Sequence, residues 1–289
     1  MTIKDLDTKE EITWCPGCPN YGILMAFKEA IVELSNRKKI QAKDAAIVTG
    51  IGCHAKSYDY LNLNGFYGIH GRVLPVCLGI KIGNPQLTVI GFGGDGDTYA
   101  EGMSHFIHAG RHNADLTMIV HNNQAFSLTT GQATPTSEKG FIGASTPAGT
   151  VEEPLNPVIL ALESQASFVA RSYALDAVHL KNIIIEAVEH KGFSFIDVLQ
   201  PCLIFHRVTP YFQKNIYKIG ESHDPTNLEV AVKLAREWDY SFDKEKKVAI
   251  GIFYKSERPT LEEKPQLKTP WYKLDRKIDW KKLTEDFIK

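Results

Sequence analysis

The chain has 289 residues, 43% hydrophobic and 23% charged, with a formal net charge of -1. That composition is globular and supplies no basic field, so neither nucleic acid nor an anionic membrane surface is expected as a partner. The polar start MTIKDLDTKEE lacks the charged-then-apolar layout of a signal peptide, and no apolar run reaches membrane-spanning length, so a soluble, cytoplasmic protein is expected.

Chemistry begins early, at EITWCPGCPNYG, residues 11–22. Cys15 and Cys18 stand two residues apart, and Cys53, Cys77 and Cys202 are scattered beyond them. In a reducing compartment, spaced cysteines point to a metal or to catalysis. A thioredoxin-type W-C-x-x-C needs a strand before it, and only a polar leader precedes Trp14. A zinc ribbon needs a second close pair, and the other cysteines are isolated. Four thiolates from distant positions suit a [4Fe–4S] cluster just as well.

A helical pattern follows over residues 23–34. The apolar runs 45–49, 87–92, 116–120 and 193–199 read as buried parallel strands. Residues 99–109 place Tyr99, Met103, Phe106 and Ile107 on one helical face, and 157–170 and 180–190 read as further helices. The alternation predicts an α/β fold, a parallel sheet flanked by helices. Residues 131–157, rich in Gly, Pro, Ser and Thr, read as a long ordered loop of functional type. Residues 1–257 are expected to form a single domain. Lysine-rich residues 258–289, with Trp271 and Trp280, are expected to form a C-terminal arm on a partner subunit.

The segment LTVIGFGGDGDTYAEG holds two overlapping patterns. Gly91, Gly93 and Gly96 match the dinucleotide motif G-x-G-x-x-G. That reading wants a carboxylate ending the next strand, and the strand ends in His121-Asn122-Asn123. Gly94-Asp95-Gly96, with Asn122-Asn123 after 25 intervening residues, resembles the thiamine-diphosphate signature instead. Asp95 and the Asn123 side-chain oxygen leave neighbouring parallel strands at the ligand-binding edge. Two such oxygens suit a hard Mg²⁺ that keeps phosphate as another ligand. The glycines let backbone N–H groups and a helix N-terminus approach the diphosphate.

The ordered set WCPGC, GIGC at 50–53, HGRVLPVCLGIKIGNP at 70–85, GDGD, HNNQAFSLTTGQATPTS and LQPC at 199–202 is more specific. It resembles the beta subunit of 2-oxoacid:ferredoxin oxidoreductases across about residues 12–215. The resemblance implies a thiamine-diphosphate-binding fold. It implies Cys15, Cys18, Cys53 and Cys202 as [4Fe–4S] ligands and Asp95, Asn123 and the Ala125 carbonyl as Mg²⁺ ligands. Cys53, Gly94, Gly96, Asp97, Phe126, Ser127 and Leu128 would border the cofactor, with His70 and Arg72 near its phosphates. Lys56, Leu128 and Thr130 would face substrate or coenzyme A. Some relatives that accept 2-oxoglutarate carry Lys where Thr130 stands, which tilts the expectation towards pyruvate or other monocarboxylic substrates. Cys77 is expected as a buried small hydrophobe. His105, His108, His112 and His121 are expected as packing or surface histidines. Pro19, where relatives often have Gly, removes an N–H that could bond a cluster sulfur.

The implied reaction is CoA-dependent oxidative decarboxylation of a 2-oxoacid to acyl-CoA and CO₂. It is reversible, and electrons pass through the cluster to ferredoxin. This chain has one thiamine domain and needs a second. An alpha subunit is expected to supply the aminopyrimidine-binding domain and the activating glutamate in an alpha2beta2 heterotetramer. Two rivals stay open. A non-redox thiamine decarboxylase or ligase would leave the cysteines idle. An iron–sulfur or zinc scaffold without thiamine would leave GDG…NN without a purpose.

Overall fold

The computed structural model describes residues 1–264, 267, 269–274 and 279–285. Eight strands make one sheet: β1 Ala45–Thr49, β2 Asn64–Tyr67, β3 Thr88–Gly94, β4 Leu116–Asn122, β5 Phe168–Tyr173, β6 Phe193–Leu199, β7 Ile216–Lys218 and β8 Val248–Lys255. Their order is β2-β1-β3-β4-β6-β5-β8-β7. Every pairing is parallel except β5 with β8. The helices are α1 Asn20–Asn36, α2 Val73–Gly83, α3 Met103–His112, α4 Pro157–Glu163, α5 Ala177–Glu189, α6 Thr209–Asn215, α7 Leu228–Ala235 and α8 Trp280–Thr284.

Alternate strand residues bury into opposite faces. Ile47, Ile90, Ile119 and Ile196 pack with Phe27 and Ile31 of α1 and Leu180 and Ile184 of α5. Val48, Val89, Met118, Val120 and Phe195 pack with Val73 of α2, Phe106 of α3, Val158 of α4 and Ala231 of α7. The result is a three-layer α/β/α sandwich, as a parallel sheet with apolar residues on both faces requires.

All four expected strands are present, and β3 and β4 run past their apolar runs by two residues into the motif ends. The helix expected over 157–170 divides. It stops at Glu163, Gln165 turns left-handed at φ +68, and Phe168–Tyr173 is strand β5, buried at every position. The run Phe-Val-Ala-Arg-Ser-Tyr packs on both faces, which a strand accommodates and a surface helix does not. The helix expected from Tyr99 begins as a π-type turn over Asp97–Glu101, and α3 proper starts at Met103. Strand β8 was not foreseen. Its antiparallel pairing with β5 brings residues 238–253 back against the sheet.

Of the expected arm, residues 258–262 are fastened to this chain's own α3–β4 turn. The Asn113 side chain donates to the carbonyls of Arg258 and Pro259, and Glu262 accepts from the Asp115 N–H. Tyr272 and Trp280 are exposed. The remaining arm residues, 265–266, 268, 275–278 and 286–289, lie outside the described ones.

Candidate active site

Strand order reverses at β1: β2 lies on one side of it and β3 on the other. Open α/β sheets bind ligands at such a switch point, beyond the carboxyl ends of the strands. A cleft opens there, lined by the segments after β1, β2, β3 and β4, with Gly52, Cys53, His54, His70, Asp95, Asp97, His121, Asn123 and Phe126 among its walls.

Asp95 is 1% exposed. Its carboxylate accepts from the Thr134 hydroxyl at 2.5 Å, the Thr136 hydroxyl at 2.9 Å and the Asn123 N–H at 3.4 Å. Among the described residues no cationic side chain pairs with it. Burial pushes its pKa up to about 6, against those hydrogen bonds. The Asn123 amide nitrogen donates to Ser127 Oγ and Gln200 Oε1, both at 3.0 Å. Its oxygen accepts the Ala125 N–H at 3.1 Å. Gln124, left-handed at φ +57, makes the bend that brings Ala125 under Asn123. Gly96 is required by space, because a Cβ there would stand 2.3 Å from the Phe126 ring.

Asp97 is a brace. Its Oδ1 accepts the N–H groups of Gly71 at 2.7 Å and Ile51 at 3.3 Å, joining the loops after β1 and β2. His70 Nδ1 lies 3.0 Å and His54 Nε2 3.5 Å from its oxygens. Burial alone would raise its pKa, but the His54 contact and charge, the Gly71 N–H and His70 outweigh that and lower it. His121 Nδ1 lies 2.9 Å from the Asn20 carboxamide oxygen, so Nδ1 carries the hydrogen and Nε2 is an acceptor. Burial, with His54 nearby, holds its pKa well below the imidazole range.

Three cysteine-bearing segments converge beside this cleft. Cys15-Pro16-Gly17-Cys18 is a tight turn closed by the Cys18 N–H on the Cys15 carbonyl at 3.0 Å, with Gly17 at φ +77. Pro then Gly is the pairing a type II turn demands. Gly17 lies against Leu203, next to Cys202. The Trp14 indole donates to the Cys53 carbonyl at 2.7 Å and packs edge-on to Tyr60. Cys18 is pushed up to about 11, by burial first and also by the closeness of Cys53, Cys15 and Cys202. Pro19 caps α1, where a missing N–H costs no helical bond, and the Asn20 N–H turns towards Cys18 sulfur. Among the described residues, no three Cys, His, Asp or Glu side chains close on a single-ion site.

The structure therefore gathers Cys53, His70, Gly94, Asp95, Gly96, Asp97, Asn123, Ala125, Phe126, Ser127 and Leu128 at one cleft. Arg72 is directed elsewhere, its guanidinium donating to the Glu101 and Gly71 carbonyls at 3.0 and 3.3 Å. Lys56 bonds Thr13 Oγ1 at 2.8 Å, so it ties down the leader of the cysteine turn. Thr130 is exposed outside the lining, where Thr129 stands instead. Cys77 is fully buried in the core beside Val73 and Met118, away from the other four cysteines. His54, Thr134, Thr136 and Gln200 escaped the sequence reading. His54 adjoins Cys53, which is a usable signal, and the Thr pair lies in the long loop already read as functional.

Residues 50–198 match the family model of the thiamine pyrophosphate enzyme C-terminal TPP-binding domain, and 202–269 match the C-terminal family model of the pyruvate ferredoxin oxidoreductase beta subunit. Fold and site thus define a thiamine-diphosphate-binding protein class. The chain is 42% identical to the 2-oxoacid:ferredoxin oxidoreductase subunit beta of Saccharolobus solfataricus, over 90% of this chain and 87% of that one. It is 38% identical to 2-oxoacid:ferredoxin oxidoreductase 1, subunit beta, of Aeropyrum pernix, over 91% of this chain and 84% of that one. A solved 2-oxoglutarate:ferredoxin oxidoreductase from Magnetococcus marinus, with 2-oxoglutarate, coenzyme A and succinyl-CoA bound, aligns with TM-score 0.89 at 30% identity, covering 100% of this chain and 96% of that one. The chain belongs to the beta subunits of the 2-oxoacid:ferredoxin oxidoreductases, and it is a subunit of an oxidoreductase.

Proposed function

We propose that this chain, together with an alpha subunit, performs the reversible CoA-dependent oxidative decarboxylation of a 2-oxoacid to acyl-CoA and CO₂, passing electrons through a [4Fe–4S] cluster to ferredoxin. The observation that carries this reading is the Asn123 side chain. It stands at the cofactor end of β4 and is one hydrogen-bonded residue away from both Cys53 and Cys18.

The residues fit the groups. Asp95 is a buried carboxylate without a cationic partner among the described residues, which a divalent cation would neutralise, and Asn123 Oδ1 and the Ala125 carbonyl complete an oxygen set suited to Mg²⁺. Each thiolate of a [4Fe–4S] cluster takes a different iron, so its ligands stand wider apart than those of one ion, consistent with convergent but separate Cys15, Cys18, Cys53 and Cys202. Thiamine diphosphate, when bound, supplies the nucleophilic carbon and the electron sink for loss of CO₂. Gly94, Gly96 and Phe126 shape the diphosphate end, with His70 and the Asp97 brace at its edge. Leu128 and Thr129 wall the substrate side. Among the described lining residues there is no Lys or Arg, which favours monocarboxylic substrates such as pyruvate over 2-oxoglutarate.

The cleft rim carries exposed Ile51, Phe66, Tyr67, Ile69 and Leu128, an apolar border suited to a covering subunit. The alpha subunit would cover it and bring the activating glutamate, in an alpha2beta2 assembly. Residues 1–257 act as one cofactor domain, and the arm from 258 extends exposed Tyr272 and Trp280 towards a partner. The assembly works in the cytoplasm; no helix among the described residues is long and apolar enough to cross a membrane.

Anaerobic co-purification with the alpha chain, then iron, sulfide, zinc and thiamine analysis, tests this. About four irons and four sulfides per beta chain are expected with one thiamine diphosphate and Mg²⁺. Thiamine without iron would leave a decarboxylase or ligase, and zinc without thiamine a metal scaffold.

A further inference from the structure

The hydrogen bonds around the Asn123 side chain fix which of its atoms donates and which accepts. Its Nδ2 has two hydrogens and two acceptors, Ser127 Oγ and Gln200 Oε1, both at 3.0 Å. Ser127 has a single hydrogen, and it goes to Cys53 Sγ at 3.5 Å. Gln200 Nε2 donates to Cys18 Sγ at 3.7 Å and to the Pro201 carbonyl at 3.4 Å. The Pro201 carbonyl can only accept, as does a sulfur that ligates a cluster, so Gln200 presents its nitrogen to both and its oxygen to Asn123. Asn123 in turn presents its nitrogen to Gln200 and its oxygen to the Ala125 N–H at 3.1 Å, with the second lone pair left for the cleft. The donor direction runs one way on both branches, from the cleft oxygen to the two sulfurs.

We infer that Asn123, Ser127 and Gln200 form a forked hydrogen-bond relay that couples the charge on the metal-diphosphate side of the cleft to the Cys53 and Cys18 sulfurs. Ser127 and Gln200 are therefore positioning residues for both ends at once. The inference rests on the reading of Asn123 as a Mg²⁺ ligand and of the cysteines as cluster ligands. The sign follows from polarisation along the chain. A cation drawing on Oδ1 makes the Nδ2 hydrogens better donors, and each branch then donates more strongly to its sulfur. Hydrogen bonds to cluster sulfurs stabilise the reduced, more negative state. Metal-diphosphate binding thus raises the cluster potential, and by linkage cluster reduction tightens metal-diphosphate binding by the same factor.

The test is a potentiometric titration of the intact alpha–beta complex, followed by electron paramagnetic resonance, with and without Mg²⁺–thiamine diphosphate. It compares wild type with Ser127→Ala, Gln200→Leu and Ser127→Thr. Coupling of about tenfold, within the usual range for linked sites, is a midpoint rise of ~59 mV for a one-electron centre. Wild type is expected to show that rise on cofactor binding. Ser127→Ala and Gln200→Leu should each lower the midpoint and shrink the rise, and Ser127→Thr, which keeps the hydroxyl, should restore it. A cluster whose midpoint ignores both the cofactor and the two variants overturns the inference and leaves the proposed function standing. A complex with thiamine and no cluster overturns both. Ser127→Ala changes only a hydroxyl on a loop, so it reads the relay even where Gln200→Leu fails to assemble.

Discussion

Replacing Arg171 by Met tests the buried ion pair that Arg171 makes with Asp197. Arg171 on β5 sits opposite Asp197 on β6, and both are at most 1% exposed. Its Nε lies 3.3 Å from Asp197 Oδ2, another nitrogen donates to Tyr240 Oη at 3.0 Å, and the guanidinium stacks over Trp238, Tyr240 and Phe253 at 5.1–5.2 Å. Met fills much of that volume but strands the Asp197 carboxylate, left among the described residues with the Tyr240 hydroxyl and the Asn122 amide. Leaving a buried charge without its partner costs about 3–5 kcal/mol. At roughly 2–4 °C per kcal/mol for a domain of this size, the unfolding midpoint should fall by about 6–20 °C. The loss should reach the site, because the Thr136 hydroxyl stands between Asn122 Oδ1 at 3.0 Å and Asp95 Oδ2 at 2.9 Å and has one hydrogen for the two acceptors, so a shift of Asn122 changes what Asp95 receives. Thermal unfolding of the alpha–beta complex, read by the fluorescence of stacked Trp238, measures the first effect. Retained thiamine diphosphate measures the second. The double variant R171M/D197N removes both charges and should recover at least half the loss. A single variant within about 1 kcal/mol of wild type, or a double variant no better than the single, would refute the reasoning.

Three further outcomes are expected. Asp95→Asn keeps the shape of the Thr134–Thr136 pocket but removes the negative charge from the proposed set of protein oxygens, so Mg²⁺ affinity should fall at least 10–100-fold, seen as thiamine diphosphate lost on desalting. Cys202→Ser should strip iron from the complex while Cys77→Ala leaves it, because Cys77 lies fully buried in the α2 core; equal iron loss in both would contradict the ligand assignment. Burial, with Lys255 close by, lowers His190 to about 4, and its Nε2 donates to Ser167, whose own hydrogen goes to Asn113. The folded pKa is below the unfolded one, so this stability is present above about pH 6.5 and lost as pH falls towards 4. His190→Gln should flatten that slope by about 1–2 kcal/mol, after discounting for the ring's partial contact with water; an unchanged slope would remove His190 as its source.

Much of the site was legible because its chemistry is local. C-P-G-C encodes a type II turn through Pro and Gly at adjacent positions, wherever the turn ends up. Gly94-Asp95-Gly96 and Asn122-Asn123 end successive strands that pair side by side, so one sequence spacing was enough to place Asp95 beside Asn123. Short, nearly unbroken apolar runs likewise announced four strands, and their alternation with helices the class of sheet, since a parallel strand covered on both faces is apolar along its length. Strand β5 was misread because a short apolar stretch reads alike as helix or strand until its neighbours are known. Strand β8 was missed altogether, and only its contact with β5 explains it.

Tertiary structure alone decided the partners of the motif residues. Thr136 reaches Asp95 across 41 positions, Gln200 reaches Asn123 across 77, and Tyr240 reaches Asp197 across 43. It also turned Arg72 and Lys56 towards backbone and leader, where their charges satisfy nearby oxygens. Sequence by itself determined which groups could do chemistry and the turns that present them, because both depend on neighbouring residues. Which distant side chain completes each hydrogen bond depends on how the layers pack, since burial leaves each polar atom to pair with whatever partner packing brings within reach.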